Sequence, residues 1–421
     1  MNWNVRYRLT SYHRASLWIV PLGALVIEQI VTPSVRAIDA HLGWGGFHLG
    51  LSGAQSIVES MITLTLSFIV FTFSSLLVAI QVASGQYTPR IIATTLLRNN
   101  VIRYTVGLFV FTFVFSIRTL ARTETTVHQL TVFVSVVFGF LCITAFLFLI
   151  DYAARLLRPV SLVRYVAEGG LLVLSDVYPE KLNESQTTTA SPQEFGPIDR
   201  TVLHRGTSRI IVAVNVQELI AHAVATDGLI EVVPQVGDFV GVEEPLFFLR
   251  NGATKADDDS LRACVVFGPE RTIEQDPLFA LRILVDIAIK ALSPAINDPT
   301  TAVLAIDQLQ RLLRRAGNRD LRADCNFDRE GKLRLILRMP DWDDFVQLAL
   351  TEIRFYGAGN IQIARRLRAM LANLENTLPA PRRPALRQEL DLLDRCLPTF
   401  YPMEKDLASA RIPDSQGLGA S

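Results

Sequence analysis

Polarity divides the chain unevenly. Four long apolar runs fill about the first 150 of its 421 residues, and no comparable run follows. They are Leu17 to about Val35, Ser56 to Val82, Tyr104 to Leu120 and Leu130 to Ile150. Each approaches or exceeds the ~20 residues that a helix rising about 1.5 Å per residue needs to cross a hydrocarbon core of about 30 Å. Their interiors, as in FIVFTFSSLLVAI and VFVSVVFGFLCITAFLFLI, are nearly free of charge. A helix satisfies its own backbone where no water is present, so the pattern predicts an α-helical polytopic membrane domain of four transmembrane helices over residues 1–155. A secretory signal peptide at the first run fits its basic start, but no small-x-small cleavage site follows.

After Ile150 the pattern shortens. Residues 156–200 read as a helical connector and a flexible linker, the latter in the Ser/Thr-rich stretch KLNESQTTTASPQEFGP, Lys181 to Pro197. Residues 201–270 carry short runs rich in Val, Ile and Phe: RIIVAVNV, GLIEVV, DFVGV, EPLFFL and ACVVF. A short helix, Gln217 to Thr226, lies between the first two, which predicts a small β-rich domain with a barrel-like fold. Residues 271–400 read as a mainly helical cytoplasmic domain with one strand at Leu333 to Arg338, so the part beyond the membrane is α+β. A tail over 401–421 reads as disordered.

Within the β-rich part, Gly228 to Leu249 has a run V-x-x-G-D-x-V followed by P-L. It resembles the hammerhead turn of biotinyl and lipoyl carrier domains, with Gly237-Asp238 at the turn and Val236 and Val240 pointing inward. The carrier function does not transfer, because no Lys occurs between Lys181 and Lys255 to bear a tethered group. No cofactor is expected.

Charge sets the orientation. Arg6, Arg8 and Arg14 precede the first span, Arg90, Arg98 and Arg103 lie between the second and third, and Arg155, Arg158 and Arg164 follow the fourth. The other two loops lack this excess, so the positive-inside rule places both termini in the cytoplasm of a bacterial inner membrane. Balanced charge, 41 basic against 41 acidic residues, gives no electrostatic case for a nucleic-acid partner. Only five of the basic residues are Lys, a skew typical of a GC-rich bacterial genome. Four scattered cysteines with no C-x-x-C pair indicate neither a disulfide framework nor a zinc site, and no metal is expected.

Several positions are candidates for chemistry. In the second span Ser60, Thr63, Ser67 and Ser74 recur at three-, four- and seven-residue spacing, and Gln81 follows near its end. Such hydroxyls suit close helix packing or the wall of a water-filled path. Glu28, in the first span, is a costly intramembrane charge unless it is paired or near the headgroups. Apart from it the spans offer no mid-membrane charge for a proton pump or voltage sensor. Gln86 and Arg90 end the second span beside Pro89. In the soluble part, ALSPAINDPTTA forms a helix–helix corner where Asp298 caps a helix opened by Pro299. Asn297, Asp298 and Thr300 there, with Gln86 and Arg90, are candidates for coupling or for a ligand path; the alternative is that they are only a helix stop and an N-cap. Arg282, Asp286 and Lys290 form a stripe of alternating sign, either a solvated face or a subunit or cavity contact. Asp341, Asp343 and Asp344 read as dipole-complementing residues of a first helical turn.

Four segments carry a resemblance: QVASGQYTPR at Gln81 to Arg90, the GDF and PLF elements at Gly237 and Pro245, RTIEQDPLFAL at Arg271, and VDIAIKALSPAINDPTTA at Val285 to Ala302. They resemble the uncharacterised bacterial membrane family called domain of unknown function 2254, from the first span to about Leu397. The resemblance implies a membrane protein and brings no activity or substrate. No P-loop, Rossmann fingerprint, G-x-S-x-G or H-E-x-x-H motif is present, so an enzyme is not expected. The expected function is a homo-oligomeric channel or permeation-type protein in the bilayer, passing a small ion or solute, with a cytoplasmic assembly domain. The rival is a membrane-anchored scaffold or sensor, with a membrane enzyme third.

Overall fold

The computed structural model describes residues 3–42, 49–86, 99–123, 127–156, 158–182, 195–321 and 324–419. They fall into two compact units, Ser11–Gly85 with Pro89–Ser161, and Leu162–Ser421 with Met1–Thr10 and Gln86–Thr88.

The first unit holds the spans. Helix α1 (Trp3–Ala15) leads into α2 (Ile19–Leu42), followed by α3 (Leu51–Gln86), α4 (Asn100–Leu120) and α5 (Gln129–Leu156). Among the described residues, helices α2 to α5 are the four that are long and apolar enough to cross a membrane. Contacts among them use small and hydroxylated residues, as lipid-embedded packing favours. Ser116 of α4 and Ser135 of α5 share a 2.8 Å hydrogen bond, and Cys142 lies 3.3 Å from the Thr112 hydroxyl. Phe68 of α3 stacks on Phe146 of α5 at 4.2 Å. At Gly139 the two helices come so close that a Cβ would lie 2.1 Å from the Met61 sulfur.

The second unit begins with α6 (Pro159–Val177), followed by β1 (Arg200–Leu203), β2 (Arg209–Val214), α7 (Val216–Ala225), β3 (Gly228–Val232), β4 (Phe239–Val240) and β5 (Pro245–Asn251). Then come α8 (Asp258–Ala263), β6 (Val265–Gly268), α9 (Pro277–Ala291), α10 (Pro299–Gly317), β7 (Cys325–Phe327) and β8 (Leu333–Leu337). Helices α11 (Trp342–Gly357), α12 (Ile361–Thr377), α13 (Arg383–Phe400) and α14 (Glu404–Ala410) close the chain.

The barrel expectation is corrected. The strands form two open sheets, a five-stranded one ordered β1-β5-β3-β8-β7 and a three-stranded one ordered β4-β2-β6. Two features prevent closure. Helix α7 separates β2 from β3, and β3 instead takes β8 as a parallel neighbour, Ile230 opposite Leu335. The strand expected inside the helical domain therefore belongs to this sheet. A shared core of Val202, Ile211, Leu219, Ile230, Phe247, Leu249 and Leu335 ties both sheets to α7.

The turn expected at Gly237-Asp238 is present. Gly237 has φ +97°, Gln235 N–H donates to Asp238 Oδ2 at 2.8 Å, and Val240 is buried. Against this turn lies Asp276, the N-cap of α9, held by Arg271 at 2.6 Å; burial pushes the Asp276 carboxyl up from the usual carboxylate range. The described part of the tail, residues 401–419, carries α14 and a set of hydrogen bonds. Asp414 accepts N–H bonds from Gln416, Gly417 and Gly419, and the buried Arg365 of α12 donates to the carbonyls of Ile412 and Gly419. The N-terminal segment joins the same unit: Asn4 donates to the Val265 carbonyl at 3.0 Å, and Trp3 and Tyr7 pack on Val212, Ala213 and Val266.

Candidate functional site

Helix α3 is built with two faces. Ala54, Val58 and Thr65 turn inward, while Ser56, Glu59, Ser60, Thr63, Ser67, Ser74 and Gln81 are exposed. Steps of three, four and seven residues keep these polar positions on one side of a helix turning every 3.6 residues. Part of this side is a groove of about 660 Å³ lined by Ser56, Glu59, Ser60, Thr63 and Ser67 with Leu64 and Phe68. The hydroxyls are not idle: Ser60 donates to Ser56 O at 2.7 Å, Thr63 to Glu59 O at 3.0 Å and Ser67 to Thr63 O at 2.7 Å. Back-bonding satisfies each proton and leaves oxygen lone pairs facing outward. The Glu59 carboxylate, an acceptor only, has no such route.

Glu28 is paired, and its partner was not read from the sequence. The carboxylate is fully buried, with Arg118 of α4 at 3.0 Å on Oε2 and the Thr32 hydroxyl donating to Oε1. Arg118 also donates to the Gln29 side chain at 2.9 Å. This resolves the cost of an intramembrane charge by pairing, with both oxygens engaged. A second polar contact joins the residue before α5 to the far end of α2, where His128 Nδ1 lies 3.6 Å from Asp39.

The soluble candidates sort differently. Both Asp298 oxygens are used by Thr301, Oδ1 by its N–H at 3.1 Å and Oδ2 by its hydroxyl at 2.5 Å. Asn297 takes the left-handed conformation, φ +48°, and its N–H donates to Ser293 O at 2.8 Å. Asp298 is thus engaged as a cap, while the side chains of Asn297 and of Thr300, in the first turn of α10, are exposed. Arg90 lies outside the described residues, as does the side chain of Gln86, which ends α3. The Arg282 stripe faces a neighbouring helix: Arg282 forks onto Glu352 of α11 and also bonds Asp286 at 2.7 Å. Asp341 and Asp344 form a reciprocal capping box at the start of α11, more specific than the dipole-complementing role expected of them, and Asp343 lies in the same first turn.

Two further clusters had no sequence signature. Glu218 and His222, one turn apart on α7, meet Cys264 with their ligand atoms within 4.8 Å of one another. Burial pushes the Cys264 thiol up to about 12, and the nearby Glu218 charge adds to this. A cleft of about 740 Å³ is lined by Lys181, Arg311, Arg314, Arg315 and Arg319. Neutral groups accept from several of these arginines: Asn373 from Arg314, Ser175 from Arg315 and the Pro179 carbonyl from Arg319.

A family model described as "Predicted membrane protein (DUF2254)" matches residues 14–373, from before α2 to within α12. The chain belongs to the DUF2254 family. The chain is similar to uncharacterized proteins of Mycobacterium tuberculosis and Mycobacterium bovis, each 26% identical over 426 residues, covering 96% of this chain and 80% of the relative. No solved structure matches the chain. In this DUF2254 protein residues 81–86 of the first segment that carried the resemblance end α3, the rest of it lying outside the described residues, and the other three fall on β4 and β5, at the start of α9, and around the α9–α10 corner.

Proposed function

We propose that this DUF2254 protein is a homo-oligomeric permeation protein in which copies of α3 turn their polar faces toward a shared water-filled path. The observation that carries this reading is the exposed face of Ser56, Glu59, Ser60, Thr63, Ser67, Ser74 and Gln81 on a helix otherwise apolar enough to span. A carboxylate turned toward hydrocarbon is costly, and a partner copy or water removes the cost. A ring of Glu59 side chains favours cations over anions as the solute. The docking of Asn4 and Tyr7 on the second unit supports a topology in which the N-terminus and that unit share one side. The arginine bias makes that side the cytoplasm of a bacterial inner membrane.

The test is native mass in mild detergent together with ion flux in liposomes. The reading expects an oligomer, and a cation preference that Glu59→Gln weakens. A strictly monomeric particle, or an oligomer silent to every small ion, overturns it. One observation favours a second reading, a sensor for an anionic ligand: the arginine-lined cleft in a chain whose overall charge is zero. Calorimetric titration with pyrophosphate, compared between wild type and Arg314→Ala, tests that alternative.

A further inference from the structure

A cavity of about 410 Å³ opens among α2, α3 and α4 of the membrane unit. Leu17, Trp18, Leu25, Phe73, Leu76 and Val110 contribute to walls that are almost wholly apolar. Two polar groups interrupt them. Arg103 is only 4% exposed; its guanidinium donates to the His13 carbonyl at 2.8 Å, yet its Nε has no partner. Thr72, 6% exposed, also lines the cavity and its hydroxyl has no partner either.

Their positions along the helices give the cavity a direction. Arg103 lies in the first turn of α4, next to Tyr104, and Trp18 precedes α2; both aromatic rings are more than half exposed, as amphipathic rings at a membrane interface are. From there the cavity follows α4 from Arg103 through Val106 to Val110, about 10 Å at 1.5 Å per residue, and α2 as far as Leu25. It therefore has a cationic end at interface level and an apolar shaft leading into the membrane. A buried donor without an acceptor is a standing cost, which an anionic oxygen would offset.

We infer that this cavity binds an anionic phospholipid, its phosphate at Arg103 and one acyl chain in the shaft between α2, α3 and α4. The inference stands apart from the permeation reading, because it concerns the opposite side of α3 from the polar face. Charge complementarity selects the occupant: a zwitterionic lipid presents the same chain but compensates its own phosphate.

The experiment uses the full chain in nanodiscs with Trp3→Phe, Trp44→Phe and Trp342→Phe, so that Trp18, in the cavity wall, is the one tryptophan left to report contact with lipid. Phospholipids brominated on the acyl chain quench it at contact range. Brominated phosphatidylglycerol is expected to quench Trp18 at about fivefold lower mole fraction than brominated phosphatidylcholine, the discrimination of one basic group near the surface. Arg103→Gln should abolish the difference, Arg103→Lys should retain most of it, and Leu76→Phe, which fills the shaft, should weaken quenching by both lipids. Equal quenching by the two lipids in the parent protein overturns the inference, as does a preference that survives Arg103→Gln. Should Arg103→Gln fail to fold, the parent ratio and the Leu76→Phe response decide it, since annular lipid alone would leave both unchanged.

Discussion

Glu28 shows how far a single residue can be read. Its cost inside a span is evident from its neighbours, and so is its need for a partner. Arg118, which meets that need, is 90 positions away in sequence, in the last turn of another apolar run. The available signal was a second lone charge near the end of a span; only packing shows which charges meet. Arg118→Ala should destabilise the membrane unit by about 3–5 kcal/mol, because it leaves a buried carboxylate uncompensated. Glu28→Gln combined with Arg118→Gln should cost less than the two changes summed, a coupling that thermal unfolding in detergent measures. Asp227 gives the corresponding test in the soluble unit. Hydrogen bonds from Lys332 and Arg334 hold its carboxyl down at about 2. A depressed folded pKa contributes stability that is present above the ordinary carboxylate value of about 4 and is lost as pH falls toward 2. Asp227→Asn keeps a residue suited to the left-handed turn at φ +50° and removes the charge. Acid unfolding of this variant, followed by circular dichroism, should lose that part of its pH dependence.

At the scale of elements, local chemistry was legible wherever the residues that decide it are adjacent. Asp298-Pro299 caps its helix as expected, and the acidic residues Asp343 and Asp344 fall in the first turn of α11. The runs of β-branched residues from β2 to β6 also became strands. What was not legible was pairing. The Gly237-Asp238 turn has the shape expected of it, but a turn says nothing about which strand lies two neighbours away, and β8 completes the sheet from beyond two helices. The contacts of residues 401–419 were not legible for a related reason. The Gly, Ser and Pro content there describes a chain with little apolar surface, whereas the contacts come from Asp414 gathering three N–H groups and from Arg365 beneath. The polar face of α3 was legible as a period; its outward direction was not. Packing of α3 on α5 includes the contact of Gly139 with Met61 beside the Phe68–Phe146 stack. Gly139→Val should therefore destabilise the membrane unit by about 1–3 kcal/mol through overpacking. Met61→Ala in the same chain should recover part of that loss in thermal unfolding.

Across the whole molecule, the spans are unequal in a way that composition alone conceals. Helix α4 has 21 residues, about 32 Å at 1.5 Å per residue, close to the thickness of a hydrocarbon core. Helix α3 has 36, about 54 Å on the same rise, and its apolar stretch alone covers 32 residues. One bilayer cannot match both. A helix too long for its membrane tilts or locally thickens it, at a modest cost per ångström that changes with the lipid. Bilayer thickness then acts on the angle between α3 and α4, which makes the thickness of the surrounding membrane a variable of this protein's shape. Spin labels on Leu66 and Ile117, compared between short-chain and long-chain lipids, should report a distance that shifts steadily with chain length; a constant distance would mean that α3 adjusts outside the hydrocarbon core.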